Sequence, residues 1–84
     1  MTDDYIVTAV YEPAVKYRLV EEYGPASFIT REDGKLYTEW GFSTPEDALR
    51  WFLSFGDKVL VTSPPEMVKK IKSTIKKMKK RYKT

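Results

Sequence analysis

The 84-residue chain predicts an α+β fold, a ferredoxin-like βαββαβ sandwich with one additional helix at the C-terminus. Three observations carry that prediction. Short β-branched and aromatic runs alternate with runs of helical period in the order the fold needs. Asp33-Gly34 falls between two of the strand runs, where a tight hairpin turn is required. The stretch Ala48 to Pro64, ALRWFLSFGDKVLVTSP, reads as a helix that turns straight into a strand.

Tyr5 to Tyr11 (YIVTAVY) is the first strand by its β-branched and aromatic content. Glu12-Pro13 closes it and opens a helix from Pro13 to Tyr23, in which Val15, Leu19, Val20 and Tyr23 recur at helical spacing. Gly24-Pro25 stops that helix in the glycine-then-proline order. Ser27 to Arg31 and Leu36 to Phe42 form a hairpin across Asp33-Gly34, both of whose residues are expected to take positive backbone angles. The central helix starts at Pro45, with Thr44 as hydroxyl cap and Glu46 and Asp47 in its first turn, and Gly56 ends it. Ala48, Leu49, Trp51, Phe52, Leu53 and Phe55 leave it little polar face, so it is expected to be covered on more than one side, with Trp51 and Phe52 as packing residues. Lys58 to Thr62 is the last strand. Pro65 to Tyr82 is the last helix, with Val68, Ile71, Ile75, Met78 and Tyr82 at intervals of 3 and 4 facing the domain or another helix.

Alternation along the strands points to an open sheet face that is unusually apolar. If Leu36, Thr38, Trp40 and Phe42 face the helices, Tyr37 and Glu39 face outward, and Leu60 opposes Val59 and Val61. On the first strand either Ile6, Thr8 and Val10 or Val7, Ala9 and Tyr11 face out, and both sets are largely apolar. Ile6, Val10, Tyr37, Glu39 and Leu60 are therefore the interface or effector candidates.

Composition narrows the function classes. A chain of this length makes one domain, 1–84, and buries only about 60 to 65% of its unfolded surface, which leaves little room for a central ligand cavity. It contains no cysteine and no histidine. That excludes disulfides, thiolate metal sites, His-based triads and thiol nucleophiles. The adjacent acids Asp3-Asp4, Glu21-Glu22 and Glu46-Asp47 diverge and make poor metal clamps, so neither catalysis, a metal nor a cofactor is expected. No membrane-length apolar run or basic signal-peptide start is present, which points to a soluble, cytoplasmic protein. The net charge of +3 hides an asymmetry: residues 1–68 carry six bases and all twelve acids, whereas residues 69–84 carry nine bases and no acid.

The run W-F-L-S-F-G-D-K-V-L-V-T-S-P from Trp51 to Pro64 resembles the C-terminal extension domain, WCX, of bacterial WYL-domain helix-turn-helix transcriptional regulators. The shared pattern is an aromatic helix end, Phe-Gly, a short valine-rich strand, and proline opening a last helix. Tyr17-Arg18-Leu19 and Asp33-Gly34 match further, and the resemblance spans Val7 to Tyr82. It implies a regulatory module that mediates dimerisation and effector sensing or signal transmission. The upstream WYL and winged-helix domains of the same chain would be its partners, the latter alone contacting DNA, and Met1 would be a fragment boundary. The effector, the operator and the sign of regulation are not implied.

Two nucleic-acid readings stand beside it. The basic helix offers Lys69, Lys72, Lys76 and Lys80 as anion contacts, which would suit a small stand-alone nucleic-acid-binding protein. A docked helix whose lysines are solvated and complement the acidic body is the more economical reading, because base readers favour arginine and bidentate amides. Trp40-Gly41-Phe42 lies where RNA-recognition domains of this topology carry their aromatic motif. The outward residues here would instead be Tyr37 and Glu39, and a carboxylate repels phosphate.

Overall fold

The computed structural model describes residues 4–83. Strand β1 spans Tyr5–Tyr11, a 3-10 turn Pro13–Val15, helix α1 Lys16–Tyr23, β2 Ile29–Thr30 and β3 Leu36–Phe42. Helix α2 covers Pro45–Leu53, a second 3-10 turn Gly56–Lys58, β4 Val59–Ser63 and α3 Pro65–Arg81. The strands form one antiparallel sheet in the order β2-β3-β1-β4. The fold is thus α+β, with a four-stranded antiparallel sheet and three helices.

Strand alternation decides which side chains make the core. On central β1, Val7, Ala9 and Tyr11 are fully buried. They meet Leu36, Thr38 and Phe42 of β3 and Val61 of β4 beneath Leu19 of α1 and Ala48 and Phe52 of α2. The choice that periodicity left open on the first strand is therefore made: Ile6, Thr8 and Val10 take the other face. Tyr11 is the reason, because its ring sits among Trp40, Phe52 and Phe55 at centroid separations of 6.0, 6.3 and 5.1 Å. Its hydroxyl oxygen accepts the Trp51 indole N–H at 3.0 Å.

Arg18, on the Tyr17-Arg18-Leu19 segment of α1, ties that helix to the end of α2. Its guanidinium lies 3.9 Å from the Phe55 ring centre and donates to the Ser54 carbonyl and hydroxyl, each at 3.2 Å. Helix α2 begins as its sequence dictates, with the Thr44 hydroxyl accepting the Asp47 N–H at 3.1 Å and Pro45 in the first turn. The Glu46 carboxyl is held below the usual range by its backbone N–H at the helix start, then by Lys70.

Four expectations are corrected. Helix α2 ends at Leu53 with Ser54 as its cap, and Gly56, at φ +62°, opens the second 3-10 turn instead of ending the helix. The first helix does not run unbroken from Pro13, because its opening turn is a 3-10 turn. The second strand is two residues long instead of five: the Ser27 N–H and hydroxyl both turn back to the Gly24 carbonyl, and the Ser27 carbonyl accepts the Trp40 indole N–H. In the hairpin Gly34 alone takes a positive φ, +86°; Asp33 does not. The Gly34 N–H bonds the Arg31 carbonyl and the Arg31 N–H bonds the Lys35 carbonyl, giving a three-residue loop that ends in a left-handed glycine.

Helix α3 packs against β4 and α2, so α2 is covered by the sheet on one side and by α3 on another. Met67 is wholly buried, and Val68 and Ile71 lie against the core. The apolar stripe then outruns the body: Ile75 is 52%, Met78 48% and Tyr82 85% exposed.

Candidate functional site

Two surfaces stand out, and the first is the open face of the sheet. The strand register aligns Ile29 with Tyr37, Tyr37 with Val10, and Val10 with Leu60. Four apolar or aromatic side chains thus form one row across all four strands, about 15 Å from edge to edge. Ile29 and Leu60, at its ends, are each 66% exposed. The neighbouring row is polar. Glu39 lies opposite Thr8, whose hydroxyl bonds those of Thr62 and Ser63 at 2.7 and 2.5 Å. Both hydroxyls reach Thr8 because the β1–β4 register shifts between Thr8 and Ala9. Ile6, beyond that row and opposite Gly41, is exposed as well.

The predicted surface residues therefore share one face but not one cluster. Tyr37, Val10 and Leu60 belong to the apolar row, Glu39 to the polar one, and Ile6 stands apart. Ile29 is the member that sequence reading missed. Periodicity of a two-residue strand is undefined, and only its pairing with Tyr37 places it. Trp40 and Phe42 lie on the helix side and serve packing: Trp40 meets Tyr23 at 4.4 Å and Phe42 meets Phe52 at 5.4 Å between ring centres.

The second surface belongs to α3. At 100° per residue, Lys69, Lys72, Lys76 and Lys80 fall within an arc of about 80°. All four are exposed. Lys70 of α3 reaches Glu46 at 3.5 Å, and among the described residues it is the base of α3 that forms a salt bridge to the body. Among the described residues this is the one salt bridge between the acidic body and the basic helix. Beside the lysine arc the apolar stripe of α3, the end of α2 and strand β4 enclose an open groove of about 590 Å³.

Among the described residues no three acidic side chains gather where a metal ion would sit. The Tyr11 hydroxyl is pushed up to about 12 by burial, against the smaller opposing pull of the Trp51 N–H. The Thr38 hydroxyl favours the phenolate as a nearby dipole, although it makes no well-formed hydrogen bond to any group. Both lie inside the core, away from either surface. Among the described residues no helix is long and apolar enough to cross a membrane.

The chain is a small α+β domain with an apolar sheet face and a basic, half-docked helix. The WCX domain family model matches residues 3–79, and the chain belongs to that family. WCX is a regulation-associated domain and not a known enzyme family, and it marks the chain as a module of a WYL-type regulator. No curated protein matches the chain significantly.

Proposed function

We propose that this chain is the C-terminal regulatory and assembly module of a bacterial WYL-type transcriptional regulator, following a WYL and a winged-helix domain and acting in the cytoplasm. It adopts the ferredoxin-like plan. What supports that plan is the order β4-β1-β3-β2, in which each of α1 and α2 links two strands separated by a third. The module pairs with a second copy and passes the effector signal through the open sheet face, while DNA contact belongs to the winged-helix domain.

The observation that carries this reading is the row Ile29, Tyr37, Val10 and Leu60, whose ends project into solvent. An apolar row spanning a whole sheet face is what a face built to be covered presents. The face measures roughly 15 by 24 Å, a few hundred Å² per partner, against about 800 Å² in a standard stable interface. The isolated chain is therefore expected to dimerise weakly, in the micromolar range or above, and the other domains add to the contact in the whole regulator. Sedimentation equilibrium of the chain and of Ile29→Glu tests this. The variant lowers net charge from +3 toward zero, so general repulsion cannot be the cause of lost association. A wild-type chain that stays monomeric up to millimolar concentration contradicts the reading.

The shared arc of Lys69, Lys72, Lys76 and Lys80 favours a second reading, a stand-alone nucleic-acid-binding protein. Four neutralised phosphates give a log-log salt slope of about −3.6, a loss of roughly 100-fold between 50 and 200 mM salt. The regulatory-module reading predicts weak, sequence-blind binding that disappears over that range. Nanomolar affinity persisting at the higher salt, or preference for one duplex or single strand, would replace it with the second reading.

A further inference from the structure

The groove beside α3 meets the sheet-face row at Leu60 alone, which lines its edge. Its walls are Val68, Ile71, Ile75 and Met78 on one side and Phe52 and Val61 on the other. In heptad terms Val68, Ile71, Ile75, Met78 and Tyr82 occupy a, d, a, d and a, a seam about 21 Å long. The first two pack against the core; the last three are largely exposed. A seam of this kind is completed by another helix.

Charge decides which helix. The positions flanking the seam are Lys72 and Lys79 on one side and Thr74 and Arg81 on the other. Lys72 and Lys79 line the groove itself. Asp57, at the opposite rim, pairs with Lys58 at 3.7 Å. A second copy of α3 laid antiparallel would set Lys72 against Lys79 twice over. Laid parallel, it would set Thr74 against Lys79. Neither arrangement offers an opposite-charge pair, and like charges at flanking positions select against self-pairing.

We propose that the groove between α3 and β4 is a docking site for an acidic amphipathic helix of about four turns, with apolar residues at 3-4 spacing and carboxylates opposite Lys72 and Lys79. The occupant is a segment of different sequence from α3. The inference rests on reading the chain as an interaction module, but of the sheet-face row only Leu60 lines the groove, and Ile29, Tyr37 and Val10 do not.

The test is fluorescence anisotropy of the whole chain with three labelled synthetic peptides of about 15 residues. One carries leucine at 3-4 spacing flanked by glutamate; the second replaces the glutamates by lysine; the third keeps the glutamates and replaces the leucines by serine. The first is expected to bind in the micromolar range, about tenfold or more tighter than the other two, and to gain helical circular dichroism on binding. Ile75→Glu removes that binding without disturbing the buried core, since Ile75 is half exposed. The double variant Lys72→Glu/Lys79→Glu reverses the preference in favour of the lysine peptide. Ile29→Glu leaves peptide binding unchanged, so failure of the sheet-face dimer and failure of this site are read separately. Equal affinity for the three peptides, binding without helix formation, or no binding up to millimolar concentration overturns the proposal. So does self-association that Ile75→Glu abolishes, which would make a second copy the occupant.

Discussion

Replacing Phe52 by alanine is expected to lower the urea midpoint of the protein sharply, by removing a large share of its stability. Its side chain is 2% exposed and packs between Phe42 and Tyr11 at ring separations of 5.4 and 6.3 Å. Removing a buried aromatic ring costs about 3 to 5 kcal/mol, because the lost transfer energy is joined by a cavity that rigid neighbours cannot fill. A domain of this size holds roughly 4 to 13 kcal/mol in total. The change therefore consumes much of the available stability. Phe52→Leu, which keeps most of the volume, should cost far less. Urea midpoints followed by far-ultraviolet circular dichroism compare the three proteins, and an unshifted midpoint for Phe52→Ala would show that α2 presents a different face to the sheet.

Alkaline pH should destabilise the fold through Tyr11. Burial raises its folded-state pKa from 10.0 to about 12, so the folded protein keeps a proton that the unfolded chain releases. Below pH 10 both states are protonated and the full stability is present. Between about pH 10 and 12 the unfolded state ionises first and stability falls, by up to about 3 kcal/mol. Above pH 12 both states are ionised and this contribution levels off. Tyr11→Phe lacks the titrating group, and its Trp51 partner, which is only half-buried, can turn to water. The difference in urea midpoint between wild type and Tyr11→Phe, measured from pH 9 to 12, isolates the effect. A difference that does not change with pH would mean that solvent reaches the Tyr11 hydroxyl.

Much of the fold was legible because local chemistry and tertiary packing agree. Strands Tyr5–Tyr11 and Leu36–Phe42 have the bounds their composition suggested, and the Thr44-Pro45 start of α2 carries its own cap. Legibility ended where a feature depends on a distant partner. The second strand shortens because Ser27 is held by Gly24 and Trp40, neither of which a five-residue window contains. Asp33 escapes a positive φ because the loop has three residues, a length set by the Arg31–Lys35 pairing.

The surfaces divide the same way. Alternation placed Tyr37, Glu39 and Leu60 outward correctly, yet could not choose between Ile6 with Val10 and Val7 with Tyr11, since both sets are greasy. The aromatic cluster around Tyr11 makes that choice. The 3-4 stripe of the last helix was plain in the sequence, but periodicity gives a direction and not a length of contact. That Met67 to Ile71 dock while Ile75 to Tyr82 project follows from where the body of the domain stops.

The central claim is that the open sheet face is the surface through which this module assembles. Backbone amide chemical shifts of the chain, compared between dilute and concentrated solution, report it most directly because they name the residues in contact. Concentration-dependent shifts confined to Ile29, Tyr37, Val10, Leu60 and their neighbours are the predicted result. Shifts gathered instead on Ile75, Met78 and Tyr82, or an absence of change up to millimolar concentration, would contradict it.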